Sequence, residues 1–271
     1  MHAFRRPLAL LAVSSALVVA TAATATPAFA VKKAKAKPVT VLVTNDDGYA
    51  APGVDAIVEA LRTVKGVNVV VSAPATNQSG TGGKTTAGTL TATQGTTKSG
   101  YPATAVQGYP ADSVIYAIQT AKVKPAVVVS GCNAGQNLGP VTDISGTVGA
   151  ARQAAKLGVP ALATSQQLSD NPDFPTCALL AKQWLTDWLK TTKNGTKVAT
   201  PTSIADINVP NCASGTIRGL YETVAAPPGT EGALSAGTVS CTTTGKTYAN
   251  DVLAFNDGWA TITTVGLNPA S

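Results

Sequence analysis

The chain has 271 residues, with 20 Lys and Arg against 14 Asp and Glu, and its formal charge of +6 is concentrated at the N-terminus. Arg5, Arg6, Lys32, Lys33, Lys35 and Lys37 all precede Asp46, the first acidic residue, and the remaining 14 basic residues balance the 14 acidic ones. The body is therefore near neutral and has no basic face for a nucleic-acid polymer or an anionic lipid. The single histidine, His2, lies in the leader, which excludes a Ser-His-Asp triad, a phosphohistidine mechanism and a typical zinc site.

Residues 1–30 read as a secretory signal peptide: Arg5 and Arg6, an apolar core, then Ala28-Phe29-Ala30 as a small-x-small cleavage site. Its apolar core is short for a membrane anchor, and no other segment approaches a span. Cleavage after Ala30 would deliver a protein that is secreted or held in the periplasm or cell envelope, with residues 31–38 as a basic linker. Residues 39–271 then form one α/β domain, of which 200–271 is a β-rich C-terminal extension. An exported chain with four cysteines points to two disulfides. The sequence allows three pairings, and Cys132–Cys177 with Cys212–Cys241 is preferred.

Along the domain, "VTVLVTN" (39–45) reads as a strand buried on both faces. It is followed by a helix from Pro52, with Val54, Ile57, Val58, Leu61 and Val64 at helical spacing. "VNVVVSA" is a second buried strand ending at Pro74. Residues 75–100 form a long Gly/Thr/Ser-rich loop with an edge strand near Leu90. "ATAVQG" is a strand and 111–122 a short helix. "AVVVSG" is a buried strand followed by a glycine-rich loop, 131–144. A helix runs from Ser145 as N-cap to Leu157, with Gly158 as its stop. "VPALAT" is a strand, 174–191 an amphipathic helix, and the chain beyond 200 is β-rich and loopy.

Strands alternating with helices predict βαβ units and a mostly parallel sheet flanked by helices. Ligands bind such sheets beyond the carboxyl ends of the strands, where loops 45–48, 76–83 and 131–139 converge. Adjacent Asp46 and Asp47 would raise each other's pKa unless a cation neutralised them. Ser79 and Asn133 can add a hydroxyl and an amide oxygen. That oxygen set suits Mg²⁺ or Mn²⁺, with Ca²⁺ as a further option. Ser145, Gly146 and Thr147 open the next helix and can cradle phosphate with hydroxyls and backbone N–H groups.

Five features compete for attention. "GTGGKTT" (80–86) looks like a Walker loop, but Gln78 stands where its first glycine is required, and Lys84 reads as a solvated loop residue. Cys132 is no phosphatase nucleophile, because Leu138 stands where that loop needs Arg. Trp184 and Trp188 read as core, and Asp112 as a helix-start residue. Asp143 can either orient the cradle hydroxyls or serve as a turn residue.

The motifs "VTNDDGYAAPG", "APATNQSG", "GYPADSV", "VVSGCNAGQNLG" and "SGTVGAARQAAKLGVPALATS" occur in the order found in the SurE family of metal-dependent nucleotidases and acid phosphatases. The resemblance is dense over 39–168 and resumes thinly at "INVPN" and "DVLAFNDGWATITTV". It implies a Rossmann-like sheet with a C-terminal β extension, and assembly as a homodimer or homotetramer. It places the metal on Asp46, Asp47, Ser79 and Asn133, and phosphate on Asn45, Ser145, Gly146 and Thr147. Cys132 departs from the family's large apolar residue, and 81–104 and 211–245 do not align with it.

The implied reaction is hydrolysis of nucleoside monophosphates or other small phosphomonoesters, with Asp46 or Asp47 positioning the attacking water. The competing reading is an exported binding protein that keeps the fold and captures phosphate or nucleotide without turnover.

Overall fold

β1 (Val39–Thr44) explains the layout of the rest, because its side chains are buried on both faces: Val41, Leu42 and Val43 are all fully inaccessible. In this computed structural model, which describes residues 37–196, 198–230, 239–245 and 247–269, β1 pairs in parallel with β2 (Val67–Pro74) and β5 (Val127–Ala134). The signal peptide and most of the linker lie outside the described residues. β4 (Pro102–Gln107) continues the parallel set beside β2, and β3 (Thr91–Thr96) closes that edge antiparallel. On the other side follow β6 (Ala161–Gln166) and β7 (Ser203–Val209), both parallel, then antiparallel β11 (Ala260–Gly266) and the short edge strand β9 (Leu220–Glu222). The nine-stranded order is β3-β4-β2-β1-β5-β6-β7-β11-β9.

Helices cover both faces, as a doubly buried parallel sheet requires. α1 (Pro52–Leu61) and α4 (Phe174–Thr191) pack against Val41, Val43, Val129 and Ile207. α2 (Pro110–Ile115) and α3 (Gly146–Lys156) cover Leu42, Val128 and Ala163. Each fully buried aliphatic side chain contributes roughly 1.5–3 kcal/mol, so these two layers dominate the stability. Trp184 and Trp188 are half-buried against the first layer, as their spacing predicts.

Local chemistry sets the helix ends. Pro52 starts α1, Ser145 Oγ accepts the Val148 N–H at 3.1 Å to cap α3, and Asp173 does the same for Thr176 in α4. Asp112 sits at the start of α2, where it accepts N–H groups from Tyr109 and Thr86 and the Thr86 hydroxyl, tying down the loop after β2. The helix expected over 111–122 divides into α2 and a π-helical turn, Tyr116–Thr120.

The C-terminal residues do not form a separate layer, since β7, β9 and β11 complete the main sheet. Beside them, β8 (Cys212–Gly215) and β10 (Val239–Cys241) make a two-stranded parallel sheet. A third apolar cluster, including Leu138, Val252 and Phe255, joins α5 (Asp251–Asn256) to the loop after β5. Both preferred disulfides are present. Cys212–Cys241 pins the small sheet, and Cys132–Cys177 ties the end of β5 to α4 with a Cα separation of 6.4 Å.

Candidate active site

Three loops meet where β1, β2 and β5 end. The Gln78 N–H donates to the Asp46 carbonyl at 2.7 Å and joins the loop after β2 to the aspartate pair. Asn45 Nδ2 donates to Asp47 Oδ2 at 3.0 Å and to the Cys132 carbonyl at 3.4 Å, reaching the end of β5. β5 continues to Ala134, with a register shift between Ser130 and Asn133, so Asn133 stands on the strand end rather than in the loop expected from 131.

Asp46 is almost fully buried against the N-terminus of α3. Its Oδ1 accepts the Thr147 hydroxyl at 2.6 Å and its Oδ2 the Thr147 N–H at 3.1 Å. The helix must start with little bulk here, since a Cβ on Gly146 would lie 2.8 Å from Asp46 Cβ. Burial pushes the Asp46 carboxyl up to about 6. The Thr147 hydroxyl opposes that rise, and the neighbouring Asp47 adds to it. Burial also raises Asp47, against donation from the Ala134 N–H (2.9 Å), Asn45 and Asn77 Nδ2 (3.3 Å). Two adjacent carboxyls held against their preference to ionise are what a bound cation would relieve.

Asp46, Ser79, Asn133 and Ser145 line one cleft of about 140 Å³. Asn133 is only 7 % exposed. Its Nδ2 donates to the Gly135 carbonyl at 2.6 Å, while its buried Oδ1 has no hydrogen-bond partner. A buried amide oxygen without a donor is costly, and a hard cation satisfies it as well as a donor does. Among the described residues no three His, Cys, Asp or Glu side chains converge on a point, so a cation here would depend on neutral oxygens and water beyond the carboxylates. Asp47 is not among the residues lining the cleft; it braces the strand ends. Two larger cavities, about 300 Å³ between β2 and β4 and about 440 Å³ at the start of α4, bring no pair of carboxylates together.

The residues expected at the phosphate cradle cluster beside Asp46, but two of them are committed. Both donors of Thr147 face Asp46, and Asn45 Nδ2 serves Asp47 and Cys132. Asn77 was not anticipated. Its Oδ1 accepts the Ser79 N–H at 2.9 Å while its amide holds Asp47. The Asn-x-Ser spacing of an Asx turn is the signal that could have found it. Asp143 pairs with Arg152 at 2.9 Å. The "GTGGKTT" segment is followed by no helix. It packs over α3, where a Cβ on Gly149 would collide with the Gly82 carbonyl oxygen.

A parallel sheet flanked by helices, with an aspartate pair at the end of its central strand, defines an α/β protein whose site lies beyond the strand ends. The family model for survival protein SurE matches residues 41–227, and the chain belongs to the SurE family. It is similar to proteins described as 5'-nucleotidase SurE. The one from Methanopyrus kandleri is 44% identical over 131 residues, 48% of this chain and 49% of that protein. The one from Legionella pneumophila is 37% identical over 188 residues, 68% of each. The chain thus spans about half the length of the first of these relatives and two thirds of the second. The crystal structure of the SurE protein from Aquifex aeolicus superposes with a TM-score of 0.65 at 26% identity, covering 86% of this chain and 95% of that one.

Proposed function

We propose that the protein is a divalent-metal-dependent phosphomonoester hydrolase acting on nucleoside monophosphates. The observation that carries this reading is the partnerless, buried Asn133 Oδ1, in one cleft with Asp46 and Ser79 and with Asp47 alongside. The 5'-nucleotidase names of the relatives support it.

Asp46, Asp47, Ser79 and Asn133 would hold the cation, Mg²⁺ or Mn²⁺. When bound, it supplies a Lewis acid that polarises a phosphoryl oxygen and makes water more acidic. The remaining work falls to the chain. Thr147 and the start of α3 keep Asp46 ionised and fixed, and Asn45 and Asn77 do the same for Asp47. Ser145 Oγ accepts the Val148 N–H and keeps its own proton for a phosphoryl oxygen. The phosphate contacts therefore narrow to Ser145 and Gly146, with Asn45 and Thr147 as positioning residues. Two further parts of the reading are export, with cleavage after Ala30, and assembly as a homodimer or homotetramer. Intact mass after expression with the leader and light scattering of the purified protein check these in turn.

The deciding experiment is p-nitrophenyl phosphate turnover with Mn²⁺ or Mg²⁺, with and without EDTA. Metal-dependent release above background is the expected result. Metal-dependent phosphate binding without turnover would replace the enzyme with the non-catalytic binder.

A further inference from the structure

We infer that Ile144 is the residue that meets the organic group of the ester, so that discrimination among phosphomonoesters occurs at the cleft rim rather than inside it. The inference rests on the phosphatase reading above and names the contact that reading leaves open.

Size comes first. A pocket that encloses an ordinary organic ligand has roughly 300–1,000 Å³. At about 140 Å³, this cleft has room for a phosphoryl group beside its cation donors and little more. The organic part of a nucleoside monophosphate must therefore project past the rim.

Composition comes next. Ile144 is 56 % exposed, and of the exposed large apolar side chains among the described residues it is the one that lines the cleft. Its exposure does not come from a loose backbone. The Ile144 N–H donates to the Val141 carbonyl at 3.2 Å, its carbonyl accepts the Gly82 N–H at 3.0 Å, and Ser145, the cap of α3, follows directly. A rigidly mounted aliphatic side chain beside the phosphoryl pocket costs water contact when empty and gains when a ring covers it.

The amides of the cleft are turned elsewhere. The Asn137 N–H donates to Asn208 Oδ1 at 2.6 Å and its Nδ2 to Ser165 Oγ at 2.8 Å, while Gln136 Oε1 accepts the Leu168 N–H at 3.1 Å. Groups engaged in this way make poor readers of base edges. The rim therefore senses apolar area and is nearly blind to which base is attached, and it favours esters of planar or apolar groups over those of small polar alcohols.

The test compares kcat/KM for adenosine 5'-monophosphate with that for glycerol 2-phosphate in the Mn²⁺-loaded full chain. Ile144→Ser should lower the ratio about three- to tenfold, the worth of the apolar area a ring can cover there. The loss should fall on the KM for the nucleotide, and Ile144→Phe should restore or raise the ratio. Leu179→Ser, an exposed apolar position on the outer face of α4, should leave the ratio alone. A ratio within twofold of wild type in Ile144→Ser, or parallel loss on both esters, overturns the inference while leaving the phosphatase reading intact. Wild-type protein that hydrolyses neither ester removes the phosphatase reading and the inference with it.

Discussion

Asp46 at the end of β1 and Asp206 in the middle of β7 make an informative pair. Both are almost wholly buried, and burial pushes both upward, Asp46 to about 6 and Asp206 to about 8. Their surroundings differ. Asp46 receives two donors from Thr147 and opens on a cleft that Asn133 and Ser79 also line. Asp206 accepts Asn208 Nδ2 at 2.9 Å on one oxygen and nothing on the other, and Thr263 of β11 stands opposite it in the sheet. A shifted carboxyl marks burial. A site also needs several donors converging on open space, and only the first region provides them.

The sharpest break between the two is functional. Asp46→Asn and Asp47→Asn should each cut metal-dependent turnover by roughly 10²–10³-fold or more, the scale for losing one preorganised charge-stabilising group. Asp46→Asn should melt no earlier than wild type, because a buried carboxyl is removed, one oxygen remains for the Thr147 N–H and the Thr147 hydroxyl can turn to accept. Asp47→Asn sets an NH2 against N–H donors and should stay folded at a loss of about 1–3 kcal/mol. Asp206→Asn should leave kcat/KM within twofold. Full activity in both site variants would dissolve the metal assignment, and a comparable loss in Asp206→Asn would erase the distinction drawn here.

The sequence made one of these regions far more legible than the other. β1, β2 and β5 are runs of β-branched residues buried on both faces, and α4 falls on the 174–191 expected from its period. The convergence of Asp46, Ser79 and Asn133 followed from parallel strands alone, since those strands must end on one edge. What escaped was long-range. Nothing local shows that Thr147 turns both donors onto a carboxylate 101 residues earlier, or that Asn77 supports Asp47 across 30. In the C-terminal region the elements themselves escaped. α5 is six residues long, too short for a periodic signal, and only the capping Asn250 marks it. Asp206 lies in a strand that alternates Ala205, Ile207 and Val209 with Asp206 and Asn208, a pattern that reads as half-exposed, so nothing local shows that its polar face is buried too.

The second break concerns what holds each region together. The site rests on the central strands, whereas β8 and β10 form a two-stranded sheet, which is marginal on its own. The Cys212–Cys241 bridge closes a loop of 29 residues between them. Removing it as Cys212→Ala/Cys241→Ala should cost about 3 kcal/mol. That corresponds to a fall in Tm of roughly 6–12 °C for a chain of this size. Amide exchange should accelerate over 212–241 and stay slow over 39–134. Uniform acceleration would mean that the bridge stabilises the whole domain rather than its edge. An intact mass about 4 Da below the fully reduced value confirms both bridges.

The smallest expected effect tests Asp206 itself through pH. Burial raises its folded pKa to about 8, with Asp251 of α5 adding to the rise and Asn208 Nδ2 and Arg152 of α3 opposing it. The unfolded carboxyl titrates at the ordinary 3.8, so between about 4 and 8 the folded chain holds a proton that the unfolded chain has released. The unfolded state binds fewer protons throughout that window, so this group's contribution to stability is full below 3.8 and falls as pH rises. Asparagine cannot titrate, and it keeps an oxygen for Asn208. Asp206→Asn should therefore match wild type near pH 5 and exceed it by roughly 1–3 kcal/mol near pH 8. Asp46 and Asp47 are also raised, but they titrate in both proteins and cancel in the difference between the two melting curves, whereas Asp251, coupled to Asp206, contributes to that difference. A difference that stays constant from pH 5 to pH 8 would mean that Asp206 is already ionised in the folded chain. The Asp206 side of the comparison would then have to be redrawn around a charge balanced within the β7–β11–α5 layer.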